Sequence, residues 1–301
     1  MEFLREQGVN ENLIQKVIEF REKYQVFESE KSRIEKPQMN FYGKEILEMA
    51  ISAILEGENI LLCGAKATGK NVLAENLAYI FGRPQYNISF HVNIDSNVLI
   101  GTDTFEDNKV KLRKGPVYLS ALYGGFCILD EINMAKNDAV SVLHSVLDHR
   151  KIIDVPGYDK IHLNDACRFI GTMNYGYVGT RELNEALVSR FMVIDMPSIK
   201  EETLMQIFEN EFPDAKKEAL LQFTKLFMDL QKKAENGEIS TKPLDLRGII
   251  AALRTIRCGL KPVSAVSMGI TNKSFDGFER DIVGDVVMTR IPDSMECFDV
   301  F

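Results

Sequence analysis

The 301-residue chain carries 36 basic against 44 acidic residues, a net charge of −8, and 45% of it is hydrophobic. That is enough apolar material for a sizeable core in one large or two smaller domains, and the acidic balance offers no basic field for a phosphate backbone, so nucleic acid is not an expected partner. No basic start precedes an apolar run at the N-terminus, and the most apolar stretch, 50–63, is broken by Glu56 and Glu58 well short of the ~18 uncharged residues a membrane span needs, so no membrane partner and a cytoplasmic location are expected.

Residues 1–38 read as a helical extension and linker. Leu13, Val17 and Tyr24 recur near helical spacing ahead of the charged run Glu28-Ser29-Glu30-Lys31 and Pro37.

From 39 to 198, short apolar strands alternate with amphipathic helices, the pattern of a parallel α/β domain. Strands are predicted at 59–63, 86–91, 125–130, 168–173 and 192–196. A helix over 71–81 places Leu73, Leu77 and Ile80 on one face, and a helix over 134–149 does the same with Val140, Leu143 and Leu147. Two β-hairpins are predicted, at 99–114 with Asp107-Asn108 at the turn and at 150–163 with Pro156-Gly157 at the turn.

From 199 to 301 helical spacing takes over, in the stripes Leu220, Phe223, Phe227, Leu230 and Leu246, Ile249, Ile250, Leu253, and a smaller helical domain is expected. The last forty residues, from Lys261, carry no clear pattern. Cys63, Cys127, Cys167, Cys258 and Cys297 lack paired spacing and are expected to be buried free thiols. The four histidines lack ligand spacing.

The first motif with chemistry follows the first strand: Gly64-Ala65-Lys66-Ala67-Thr68-Gly69-Lys70-Asn71 has the spacing of a phosphate-binding loop. Its glycines let backbone N–H groups converge on phosphate oxygens, the following helix turns its positive end to the same anion, and Lys70 supplies a mobile ammonium. The nucleotide-binding stretch is taken to run through Val72. Asn71 stands where a Ser or Thr hydroxyl normally meets Mg²⁺; its amide oxygen is a hard ligand that coordinates directly or holds a water that does. A strand–loop–helix turn that merely contains two glycines and a lysine is the bland alternative.

The second motif, Phe126-Cys127-Ile128-Leu129-Asp130-Glu131, is an apolar strand ending in two carboxylates. The separation from Lys70 suits neighbouring strands of one sheet. Asp130 is expected to orient the Mg²⁺ shell, and Glu131 to polarise an attacking water as general base.

Residues from about 40 to 255 resemble the AAA+ ATPases of the MoxR-like, dynein-related group, which includes proteins that activate Rubisco or nitric-oxide reductase and those of gas-vesicle assembly. The resemblance implies a P-loop αβα sandwich with a five-stranded parallel sheet and a C-terminal helical lid. It also implies use of ATP and Mg²⁺, hydrolysis to ADP, assembly into a homo-oligomeric ring (a hexamer), a client protein to remodel or activate, and a separate partner carrying a von Willebrand factor A domain. Phe169-Ile170-Gly171-Thr172-Met173-Asn174 is similar to the sensor-1 strand, which makes Asn174 a contact to the γ-phosphate or the lytic water; a strand-end asparagine capping a turn is the alternative. The segment from Gly179 to Phe191 resembles the family's stretch ending in Arg-Phe, so Arg190 is implied as the arginine finger and Arg181 as a second interface arginine. Leu244-Asp245-Leu246-Arg247 resembles a sensor-2 helix start, with Arg254 as the fallback. The hairpins fall where the family carries pore-lining inserts, and Phe41-Tyr42-Gly43 where its adenine-side segment lies. The main alternative function is a nucleotide-dependent binding switch or scaffold with little hydrolysis, motivated by Asn71.

Overall fold

The computed structural model describes residues 1–174 and 182–301. The chain divides into two compact units, Met1–Ala65 with Gly69–Pro197, and Ser198–Phe301 with Lys66–Thr68.

The first unit opens on α1 (Glu2–Glu6), α2 (Glu11–Lys23) and, after a 3-10 turn at Glu28–Arg33, α3 (Lys44–Leu55). Asn10 caps α2, its side chain accepting from the Asn12 N–H at 2.9 Å. Ile14, Val17 and Phe20 recur at helical spacing, and all three are buried in the same core as Leu47 and Ile51 of α3. The N-terminal segment is also tied down by polar contacts. The Tyr86 hydroxyl donates to Glu30 at 2.5 Å. Arg83, only 1% exposed, donates to the carbonyls of Tyr24 at 2.6 Å and Gly124 at 2.7 Å, and burial pushes its guanidinium down to about 10.

The chain then runs through β1 (Ile60–Gly64), α4 (Lys70–Ile80), β2 (Gln85–Ser89), α5 (Ser96–Ile100), β3 (Gly101–Glu106), β4 (Lys109–Lys114), α6 (Pro116–Tyr123) and β5 (Phe126–Asp130). It continues through α7 (Asn137–Val140), α8 (Leu143–Leu147), β6 (Ile152–Ile153), β7 (Ile161–His162), β8 (Arg168–Asn174), α9 (Glu185–Val188) and β9 (Met192–Asp195). Five strands form one parallel sheet in the order β2-β5-β8-β1-β9. Their period-2 alternation divides the core. Ile60, Leu62, Phe126 and Ile128 face the layer of α2, α3 and α4, whereas Leu61, Cys63, Cys127 and Leu129 pack with Val117 of α6 and Leu143 of α8. The result is the αβα sandwich expected of a P-loop fold.

Two expectations about the α/β domain are corrected. The Lys70 and Asp130 strands are not neighbours: β8 lies between β1 and β5, so they stand about 10 Å apart, two strand spacings. Sequence separation does not reveal which later strand inserts between two earlier ones. The helix predicted over 134–149 is two short helices. Ala135 is extended, with ψ 159°, and at Ser141–Val142 the backbone stays in the right-handed region while His144 N–H bonds the carbonyl three residues back, so the turn tightens. Low-propensity Ser and Val residues at 141, 142, 145 and 146 favour such a break.

Both hairpins form. β3 and β4 pair antiparallel from Gly101↔Lys114 to Glu106↔Lys109, and Asp107 and Asn108 both take positive φ (54° and 56°), as a two-residue hairpin turn demands. β6 and β7 pair around a turn in which Tyr158 N–H bonds the Val155 carbonyl and Gly157 has φ 86°. The Tyr158 hydroxyl donates to Asp103 at 2.6 Å and so joins the two hairpins.

The second unit is helical: α10 (Glu201–Glu211), α11 (Lys217–Glu235), α12 (Leu246–Arg257), α13 (Pro262–Gly269), α14 (Gly277–Arg290) and α15 (Cys297–Val300). The last forty residues are therefore helices too. In α14 the buried stripe Val283, Val286, Val287 is blurred by exposed Phe278 and Met288, which hides the period. Cys63, Cys127 and Cys167 are buried as expected, but Cys258 is exposed at the end of α12 and Cys297 is half-buried. Among the described residues, no helix is long and apolar enough to cross a membrane.

Candidate active site

In a parallel sheet all strands end at the same edge, and ligands sit there. The C-terminal edge of this sheet carries Gly64 on β1, Asn174 on β8 and Asp130 on β5. Gly64 lies opposite Asn174 in register, and Asp130 lies beside Thr172 through a side-chain bond.

The loop leaving β1 coils through two left-handed residues, Ala67 (φ 64°) and Gly69 (φ 82°), and Gly69 is the N-cap of α4. Only glycine suits that cap. A Cβ there would stand 3.3 Å from the Phe41 ring besides meeting an unfavourable φ. Phe41 belongs to the segment expected on the adenine side. Gln7 splints that segment, its amide donating to the Phe41 carbonyl and accepting from the Gly43 N–H, each at 2.9 Å, while Asn76 of α4 donates to the Met39 carbonyl at 2.8 Å. Sequence reading missed Gln7, because a polar residue at the end of a short helix carries no motif.

Lys70 opens α4 and is 7% exposed. Its ammonium donates to the carbonyls of Gly64 at 3.1 Å and Ala65 at 2.6 Å. Burial pushes it down to about 8, partly offset by Cys63 and by the carboxylates of Asp130 and Glu131. Below that pH the ammonium is present. Above it the free protein's lysine is neutral, and uptake of a polyphosphate must first recover a proton, so affinity falls as pH rises through 8. We expect nucleotide affinity to weaken about tenfold between pH 7 and pH 9, from the loss of the protonated fraction. Calorimetric titration across that range checks it, and a flat profile contradicts it.

Asp130 ends β5, and Glu131 follows in the left-handed region (φ 54°, ψ 45°), an uncommon place for a non-glycine residue. The kink turns the Glu131 carboxylate toward β8, where Asn174 Nδ2 donates to it at 3.1 Å. Thr172 donates to Asp130 at 2.6 Å and accepts from the Glu131 N–H at 3.0 Å. Asn133 Nδ2 donates to the Asn174 carbonyl at 3.1 Å. Thr172 and Asn133 were not singled out from sequence, although Thr172 sits inside the motif that ends in Asn174 and Asn133 follows the Asp130-Glu131 pair by two residues.

Residues 59–191 match the family model described as AAA domain (dynein-related subfamily). The Bacillus subtilis protein YojN is 34% identical over 249 residues, covering 81% of this chain and 82% of that protein. The chain belongs to the dynein-related AAA family. A Staphylococcus epidermidis relative is 30% identical over 68% of this chain and 80% of its own length, and neither relative's name assigns an activity. A crystal structure from Cytophaga hutchinsonii overlays 91% of this chain on 84% of its own at 19% identity and a TM-score of 0.44.

Asn71 is half-buried in the first turn of α4, where its amide oxygen and the Asp130 carboxylate are both hard donors of the kind Mg²⁺ takes. Gly69 brings no side chain to cap that turn, and a buried ammonium stands beside it, a setting that suits a polyphosphate. Arg190 is at the opposite edge of the sheet. Met192 pairs with Ile60 at the start of β1, so Arg190 is separated from the chain's own phosphate loop by at least the length of β1, about 13 Å. Its Nη1 donates to the Ala186 carbonyl, its Nε is buried without an acceptor, and burial together with its charge pushes His144 below the ordinary histidine range. A cleft of about 420 Å³ opens beside it, lined by Glu58, Asp148, His149, Ser189 and Met192. Arg247, in the second unit, is exposed in the first turn of α12, whose N-cap is Asp245; Arg254 pairs with Glu211 at 3.3 Å. Arg181, with Gly179 and Thr180, lies outside the described residues.

Proposed function

We propose that this AAA domain hydrolyses ATP with Mg²⁺, as a MoxR-like remodeller or activator of a client protein. The convergence of Lys70, Asp130, Glu131 and Asn174 at one sheet edge carries this reading. Lys70 and the first turn of α4 hold the phosphates. Asp130 and Asn71 hold the metal, which neutralises phosphate charge when bound. Glu131 takes a proton from the attacking water, and Asn174 orients either that carboxylate or the terminal phosphate. Arg247 is proposed as a further phosphate contact.

The 13 Å of strand between Arg190 and its own phosphate loop supports a finger acting on the next copy of the chain, hence a ring, for which we propose a hexamer. The β3–β4 hairpin supports client contact: Phe105 and Val110 are cross-strand partners and are 72% and 60% exposed. A separate von Willebrand factor A domain partner and a cytoplasmic setting complete the proposal. The second reading, a nucleotide switch with little turnover, draws on Asn71 and on the Asn174 amide that occupies Glu131. Phosphate release from ATP at saturating Mg²⁺ tests the proposal. Turnover that delivers phosphate only to water supports it. Calorimetry that detects no adenine-nucleotide uptake overturns both readings, and uptake without turnover leaves the switch.

A further inference from the structure

We propose that Thr172 is a positioning residue for magnesium, a role that rests on the ATPase reading above: its hydroxyl aims Asp130 and fixes the backbone kink that presents Glu131. Thr172 is 1% exposed, two residues before Asn174 on β8. A hydroxyl has one proton and two lone pairs. Here one lone pair accepts the Glu131 N–H at 3.0 Å, and the proton goes to Asp130 Oδ1 at 2.6 Å. Both carboxylate-bearing residues of the site are therefore set by a single atom.

Each bond has its own consequence. Occupying Oδ1 fixes the rotation of the Asp130 carboxylate and leaves its second oxygen for the metal's water shell, as outer-shell partners do for ligating carboxylates. A non-glycine residue in the left-handed region persists only where its surroundings hold it. For Glu131, at φ 54°, the bond from its own N–H to Thr172 is such a hold. Strand propensity alone would be met equally by valine, which has the same shape and no hydroxyl.

That contrast supplies the test, made on the full-length chain. Thr172→Val is expected to bind the slowly hydrolysed analogue ATPγS in EDTA as wild type does. Its affinity for Mn²⁺ in the ATPγS-loaded protein, read by electron paramagnetic resonance, should fall about tenfold. The Mg²⁺ concentration for half-maximal turnover should rise in step, kcat should drop, and KM for ATP at saturating metal should hold. Thr172→Ser keeps the hydroxyl and should restore wild-type metal affinity. If Thr172→Val does not fold, Thr172→Ala gives the same readout. A variant lacking the hydroxyl that takes up Mn²⁺ as wild type does overturns this role alone, whatever its melting temperature. A wild-type chain that binds no adenine nucleotide overturns the ATPase reading with it.

Discussion

Glu131→Gln is expected to stop hydrolysis and leave nucleotide uptake in place: turnover should fall at least about 10²-fold, the lower end of what a general base contributes. The substitution is close to isosteric. The glutamine carbonyl oxygen can still accept from Asn174 Nδ2, now at 3.1 Å from the carboxylate, and the backbone bond from residue 131 to Thr172 is untouched. What disappears is a group able to take a proton from water. Phosphate-release kinetics alongside calorimetric ATP binding check the outcome. Turnover within a few-fold of wild type removes Glu131 from the chemistry, whereas a wild type with hardly any turnover to lose favours the binding switch.

Arg190→Ala is expected to collapse turnover about 10³-fold, within the range attributed to arginine fingers, while ATP binding by the single chain persists. The reason is positional. Arg190 stands at the start of the strands and the phosphate loop at their end, which favours the proposed action on another copy's nucleotide over action on its own. A mixing experiment makes this specific. Lys70→Ala loses its own nucleotide, and Arg190→Ala loses its neighbour's turnover, so each is inactive alone. Mixed in equal amounts, they should recover measurable activity, because a chain with Arg190 then faces an intact loop. Near-normal turnover by Arg190→Ala alone would sink the trans-acting role.

Much of the fold was legible because it rests on short-range rules. Continuous apolar runs in Ile60–Gly64 and Phe126–Asp130 mark strands with two buried faces, and Asp107-Asn108 marks a hairpin because few residues accept two successive left-handed conformations. Gly69 and Lys70 were recognisable because phosphate binding needs a backbone conformation that glycine permits and a cation that lysine supplies. These are local requirements, written into consecutive residues.

Other features depend on which distant residues meet. The insertion of β8 between β1 and β5, Thr172 reaching Asp130 across 42 positions and Gln7 splinting residues 34 and 36 positions away leave no spacing to read. The helix expected over 134–149 broke where Ser and Val residues of low helix propensity tighten the turn between Val140 and Leu143. Sequence alone thus determined which residue types stand at the two strand ends, because a glycine-flanked turn before a lysine and an apolar run closing in two carboxylates are each written in consecutive residues. Only the tertiary structure decided strand order, the shared hydroxyl between the carboxylates and the edge on which Arg190 stands, because these are relations between segments whose separation along the chain carries no geometric information.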